Sequence, residues 1–198
     1  DGHWPFLLGA EHDSGAIIVG GGKSGDGCQG GNTDLLPGTA SLTSCRGSRV
    51  NVQGWNDAVE TTFVTEESDC EFTSNFGGTS AATPIVAGAA ALIQSEWQKN
   101  HAPLNSIQMR RLLKRTGAPQ VLTEDDDGTN NIGPLPNVQA AITYLAQAGA
   151  CCTNDACIFL TQDDCLSNEG QWLGQGMSCS DSSCPSACLG DTDESVMN

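Results

Sequence analysis

The sequence predicts an α/β protein, a mostly parallel sheet with helices on both faces, followed by a small disulfide-rich module. Three observations carry that reading. Residues 14–19 form a short β-branched run closing on Gly20, Gly21 and Gly22, the pattern of a strand covered on both faces, and a sheet of such strands needs helices to cover it. From Thr79 to Gln94, apolar and small side chains recur with a helical period. At Gly149 the composition changes abruptly to a polar segment crowded with cysteine, the mark of a unit too small to be held by a core of its own.

The 198 residues are enough for one ordinary domain plus a small one. Lys and Arg number 8 against 24 Asp and Glu, a formal net charge of −16, so neither nucleic acid nor an anionic membrane is an expected partner. No run approaches the roughly 18 apolar residues that span a bilayer. The chain opens at Asp1 with neither an initiator methionine nor a signal peptide, and is read as cut from a longer sequence.

Taken in order, residues 1–12 show no period, and Pro5 biases Trp4 toward an extended conformation, so this stretch reads as a loop. A buried strand is expected over 16–19. The glycines that follow are not a dinucleotide fingerprint, because loop rather than helix comes after them. Residues 23–47 are dense in Gly, Ser, Thr, Asp and Asn and contain Cys28 and Cys45. An irregular excursion is expected there, closed by a Cys28–Cys45 disulfide, with Cys70 left as the odd thiol. Residues 49–55 read as a second strand and a turn, and residues 61–64 as a third extended piece.

In the helix that follows, Ala81, Ala82, Ile85, Val86, Ala89, Ala90, Leu92 and Ile93 keep a helical period, and small residues cover much of the remaining surface. Burial nearly all round is therefore expected. Gly77 and Gly78 permit a tight entry, and Pro84 falls early enough to be tolerated. Ser80 is thereby held at a helix N-terminus, where unpaired N–H groups and the positive end of the dipole suit an oxyanion formed in acyl transfer. Composition alone favours a plainer role, Thr79 or Ser80 as an N-cap.

The full string, Gly78-Thr79-Ser80-Ala81-Ala82-Thr83-Pro84 running into Ile85-Val86-Ala87-Gly88, resembles the nucleophile segment of subtilisin-like serine peptidases, the subtilases. It is not a Gly-x-Ser-x-Gly elbow, since Ala82 stands two residues after Ser80. The succession of the 14–20 strand, the 47–55 segment, Thr61-Thr62 and the Ser80 helix is likewise similar to the C-terminal half of a subtilase domain, over about residues 13 to 147. The resemblance implies Ser80 as catalytic nucleophile, its backbone N–H as an oxyanion-hole donor, and Gly78, Thr79 and Pro84 as the motif around it.

Beyond the long helix, Asn105 is placed to cap a helix over 107–116 with Gln108 three residues on, and Gly117 to stop it. Arg110, Arg111, Lys114 and Arg115 lie on that helix, where cations near the C-terminus are favoured by the dipole. A solvated face is expected rather than a nucleic-acid patch. Residues 124–131 are rich in oxygen donors, but they lack the spacing and closing bidentate glutamate of an EF-hand. A solvated acidic loop is expected there; structural calcium is the rival, and no other cofactor or metal is anticipated. Pro136-Asn137 then opens a last helix with Val138, Ala141, Ile142 and Leu145 on one face.

Cys151, Cys152, Cys157, Cys165, Cys179 and Cys184 fall within a short polar segment containing Gly170, Trp172, Gly174 and Gly176. The absence of paired Cys-x-x-Cys units and of histidine argues against zinc and for oxidised pairs, which places the chain in an oxidising, extracellular compartment. Spacing does not choose among the pairings. The Gly-Asp-x-Asp sequence at 190–193 resembles the opening of a dockerin repeat. The expected organisation is thus 1–148 as the C-terminal part of a subtilisin-like peptidase domain, 149–186 as the disulfide-rich module, and 187–198 as the start of a further repeat or dockerin-like segment.

A serine nucleophile needs a base and an acid to orient it, and in subtilases both precede the serine, in the order Asp, His, Ser. His3 and His12 lack the His-Gly-Thr setting that the family uses, and His101 follows the serine. Asn51 and Asn75 sit in the wrong segments to be the family's oxyanion-hole asparagine. The resemblance therefore implies a secreted serine endopeptidase acting on protein or peptide, with its Asp, His and Asn in upstream sequence of the same domain. By itself the present chain would then be inactive. The alternative is a subtilase-fold extracellular scaffold without activity.

Overall fold

The structure, a computed structural model, describes residues 13–25, 36–66, 71–124, 129–153, 156–177, 179 and 184. Contacts divide the chain into two compact units, Asp1–Ile93 with Asn105–Val138, and Gln94–Leu104 with Gln139–Asn198.

In the first unit, β1 (Val19–Gly22) and β2 (Val52–Trp55) pair in parallel, Val19 opposite Val52 and Gly22 opposite Trp55. The expected strand at 16–19 therefore lies further along, and the glycine run is itself the strand. Packing explains the shift. A Cβ on Gly20 would stand 2.8 Å from the Cβ of Ile132, and one on Gly21 would stand 2.8 Å from the Cβ of Asn56, so only glycine lets these neighbours close on the strand. Ile17 and Ile18 are only half-buried. Ile18 is instead held by Asn51, whose N–H donates to the Ile18 carbonyl at 2.9 Å and whose Oδ1 accepts the Ile18 N–H at 2.8 Å. Gln53, fully buried on β2, spans two loops by donating from Nε2 to the carbonyls of Gly133 (2.8 Å) and Gly38 (3.3 Å).

The third extended piece is β3 (Val59–Phe63). It forms an antiparallel hairpin with β4 (Glu71–Phe76), a strand that the sequence pattern did not announce. Next comes α1 (Thr79–Trp97). It buries Ala81, Ala82, Val86, Ile93 and Trp97 but exposes Thr83, Pro84, Ala87, Gly88, Ala91 and Leu92. Burial nearly all round is thus corrected to burial along one side. Small residues permit close packing on either face of a helix, and the described residues use one of them. The helix passes through Pro84 without a break, although that residue has no N–H to offer the Ser80 carbonyl one turn back.

α2 (Ser106–Thr116) has the expected capping box, with Gln108 N–H on Asn105 Oδ1 (2.9 Å) and Asn105 N–H on Gln108 Oε1 (2.8 Å). Gly117 ends it, but in extended rather than left-handed geometry (φ −68°). Glycine is required there because a Cβ would come within 2.8 Å of the Leu135 carbonyl, where Ala118 and Leu135 bridge. Met109, Leu112 and Leu113 face inward. Of the basic residues, Arg111, Lys114 and Arg115 are exposed. Arg110 instead folds onto Asp13, which also receives Arg49 at 3.0 Å. Hydrogen bonds from Arg110 and from the Gly15 N–H outweigh desolvation and, with the charges of Arg110 and Arg49, hold the Asp13 carboxyl far below the usual range.

The excursion before β2 is closed by backbone. Lys23 donates to Thr39 (2.9 Å), Gly38 to Lys23 (2.8 Å) and Ser41 to Gly21 (3.0 Å). Cys45 is exposed with a free thiol, so the Cys28–Cys45 cross-link is not made; Cys28 and Cys70 lie outside the described residues. Half of the acidic loop, 125–128, also lies outside them. At its near end Asn130 is engaged by protein, its side-chain oxygen by Arg46 and its carbonyl by Gln120 at 2.8 Å.

The second unit takes up α3 (Val138–Gln147) from Gln139 on, a helix that buries Ala141 and Leu145, then β5 (Ala148–Thr153), β6 (Ala156–Thr161), α4 (Gln162–Ser167) and β7 (Gln171–Gln175). The strands form an antiparallel sheet in the order β6-β5-β7. Disulfides join Cys151 to Cys165, Cys152 to Cys184 and Cys157 to Cys179, so all six tail cysteines are oxidised. Trp97 stacks on His101 with centroids 3.6 Å apart and meets Phe159 edge-on at 5.0 Å. The dockerin-like residues 187–198 lie outside the described residues.

Candidate active site

Ser80 is set in place by three local features. Gly78 turns the chain from β4 into α1 in the left-handed region (φ +77°), a conformation that other residues resist. Its carbonyl accepts the first helical N–H groups, from Ala81 at 3.0 Å and Ala82 at 3.3 Å, so Gly78 occupies the cap and neither Thr79 nor Ser80 does. The turn is then clamped to the end of β2. Buried Asn56 donates its N–H to Gly22 (3.0 Å) and accepts the Gly78 N–H on its carbonyl (2.7 Å). Finally, Gly54 lets the first turn of α1 lie directly on β2, since a Cβ there would stand 2.5 Å from the Ala82 carbonyl.

The outcome is a serine on the first turn of a 19-residue helix, exposed, with no hydrogen-bond partner for its hydroxyl among the described residues. The Ser80 N–H, which precedes the helical ladder, has no acceptor among them either. Thr79 and Thr83 are occupied with each other, the Thr83 hydroxyl donating to the Thr79 carbonyl at 2.8 Å. A free hydroxyl beside a free N–H at the positive end of a helix can attack a carbonyl and receive the oxyanion that forms.

The other sequence candidates that are described have contacts of their own. His101 belongs to the second unit, its ring on Trp97 and its Nδ1 3.3 Å from the Trp97 carbonyl. His3 and His12 lie outside the described residues. Asn51 is buried and spends its side chain on Ile18 and Arg49 (3.2 Å). Asn75 lies exposed on β4, its N–H on Thr73 Oγ1 at 3.2 Å. Sequence reasoning missed Asn56; the only hint was its place directly after the 49–55 strand.

The α/β framework thus presents a serine on the first turn of a long helix, directly after a Gly-Gly turn. A Subtilase family model matches residues 27–141, more than half of the chain, and the chain belongs to that family. Among solved structures it is similar to the patellamide maturation protease PatA, with 21% identity and a TM-score of 0.50 over 66% of this chain and 43% of that one. It is similar also to the prenylagaramide maturation protease PagA, with 20% identity and a TM-score of 0.49 over 64% of this chain and 41% of that one. The chain thus covers less than half the length of either. No curated protein matches it.

Proposed function

We propose that this chain carries the nucleophile of an exported subtilisin-like serine endopeptidase. The observation that supports this most directly is Ser80 itself, exposed and with no hydrogen-bond partner among the described residues, on the first turn of α1 within the region that matches the family. In the reaction Ser80 Oγ bonds to the peptide carbonyl carbon, and the carbonyl oxygen takes up negative charge facing the Ser80 N–H. The C–N bond then breaks, the amine leaves with a proton, and water hydrolyses the acyl-enzyme. A His takes the Ser80 Oγ proton and passes it to the leaving amine, an Asp orients that His and stabilises its charged form without itself being protonated, and an Asn is the second oxyanion donor, all three supplied by sequence of the same domain outside this chain. The chemistry uses side chains and backbone alone, with calcium at residues 124–131, if bound, in a structural role. Oxidised cysteines fit an extracellular location, with residues 149–186 an appendage to the peptidase domain.

The experiment is Ser80→Ala in the full-length protein. Peptide hydrolysis should fall at least about 10⁴-fold, and labelling by a sulfonyl fluoride should vanish. Thermal unfolding should hardly change, since an exposed hydroxyl contributes little to packing. Undiminished hydrolysis by the alanine variant would show that the nucleophile lies elsewhere. A full-length protein that never reacts, although Asp, His and Asn are present, would favour the scaffold.

A further inference from the structure

The β3–β4 hairpin is exposed on both faces at its far end. Thr62 stands opposite Phe72 on one face and Phe63 opposite Glu71 on the other, and Phe63, Val64 and Phe72 are 51%, 65% and 70% exposed. Glu60 on β3, Glu66 just after β3 and Glu71 on β4 are all exposed. None of the three forms an ion pair among the described residues. No Lys, Arg or His occurs anywhere between Arg49 and Lys99, so no cation of the hairpin's own sequence balances them. Two-stranded ribbons with large exposed apolar side chains are poor free-standing elements, so the patch is covered either by sequence of the same domain outside this chain or by an external occupant, and peptide binding to the full-length protein separates the two, since a hairpin covered by its own domain binds none.

Charge and position choose that occupant. A second copy of a chain with net charge −16, a nucleic acid and an anionic bilayer would all be repelled. β4 also leads straight into the turn that presents Ser80. At about 3.4 Å per residue, Phe72 lies about 14 Å along the strand from Phe76, and residues 77–79 separate Phe76 from Ser80. An extended peptide whose scissile bond sits at Ser80 covers such a distance with about four to six residues.

We propose that the β3–β4 hairpin is an exosite of the peptidase that takes a basic and apolar stretch of the substrate, Lys or Arg interspersed with Leu or Phe, about four to six residues from the scissile bond. This rests on the reading of Ser80 as nucleophile and gives it a substrate class. The glutamates contribute attraction and register, and Phe63, Val64 and Phe72 contribute apolar contact.

The test uses the full-length enzyme and three internally quenched peptides with one common core. One ends in an Arg-Leu-Arg-Leu flank begun five residues from the scissile bond, one in Glu-Leu-Glu-Leu, and one has no flank; each flank is tried on either side. The ratio of kcat/KM for the basic-flanked to the unflanked peptide should be about five- to tenfold at low salt. It should decline toward one near 1 M salt, where the Debye length is about 3 Å. Glu60→Gln, Glu66→Gln and Glu71→Gln together should bring the low-salt ratio close to one, and Phe72→Ser should lower it in part. Glu169→Gln, which removes an exposed acid elsewhere, should leave it unchanged. Circular dichroism melting checks the triple variant, with Glu71→Gln alone as its substitute should it unfold. A ratio that persists in these variants, or an equal gain from the acidic flank, overturns the exosite. If no peptide is cleaved, the nucleophile reading fails separately. The exosite is then decided by fluorescence anisotropy of labelled Arg-Leu-Arg-Leu peptide on the Ser80→Ala protein, where salt-sensitive binding lost in the triple variant supports it and no binding overturns it.

Discussion

The turn at Ser80 and the sheet of the second unit both hold a short, irregular piece of chain in one geometry, by opposite means. At Ser80 the fixing agents are backbone hydrogen bonds and absent side chains. Asn56 ties Gly78 to β2, and glycines at 20, 21 and 54 let neighbouring elements touch. In the second unit the fixing agents are covalent, with three disulfides through β5, β6 and α4 and into Cys179 and Cys184. A disulfide acts chiefly by restricting the unfolded chain and is indifferent to small local shifts. Close packing has no such tolerance but can place one hydroxyl where chemistry needs it.

The largest effect expected from breaking this contrast is in the second unit. Replacing Cys151 and Cys165 together by alanine should cost about 3 kcal/mol, the loss of a 14-residue closure. Denaturant unfolding monitored by the fluorescence of Trp172 and Trp97 would show it, with sulfonyl fluoride labelling of Ser80 in the full-length protein little affected. At the serine, Gly54→Ala should cost about 1–3 kcal/mol, because its methyl group meets backbone, the Ala82 carbonyl at 2.5 Å. Here labelling should fall together with stability, since the same backbone carries the nucleophile. Equal labelling in parent and variant would show that Ser80 does not depend on this contact.

A smaller effect belongs to the capping box. Asn105→Ala should lower stability by about 1 kcal/mol through loss of the bond to Gln108 N–H, measured by thermal unfolding at neutral pH. Smallest, and visible only in acid, is the Asp13 clamp. Arg110, the Gly15 N–H and Arg49 lower the Asp13 pKa, so an unfolded chain binds this proton more readily than the folded one. The stabilisation is complete above about pH 4 and is lost as pH falls below it. Asp13→Asn should therefore show a smaller drop in Tm between pH 6 and pH 3 than the parent, and an unchanged drop would refute the clamp.

The sequence by itself determined whatever is local and periodic. The serine helix, the Asn105 and Gln108 box, the last helix with Ala141 and Leu145 inward, and an oxidised tail were all legible, because each follows from side-chain chemistry within a few residues along the chain. The family was legible in the string from Gly78 to Gly88 for the same reason. Only the tertiary structure decided which side of α1 is buried, that Gly20–Gly22 rather than the isoleucines before them make the strand, that Cys45 stays a thiol, and that Asn56 clamps the turn before Ser80. These depend on partners tens of residues away, such as Ile132 against Gly20 and Arg110 against Asp13, whose approach no local pattern encodes. The pairing of six cysteines belongs with them. Cys152 stands opposite Cys157 in the register of β5 with β6, yet the two bond to Cys184 and Cys179, and Cys151 bonds to Cys165 on α4, so which sulfurs meet depends on where folding brings α4 and the residues after β7.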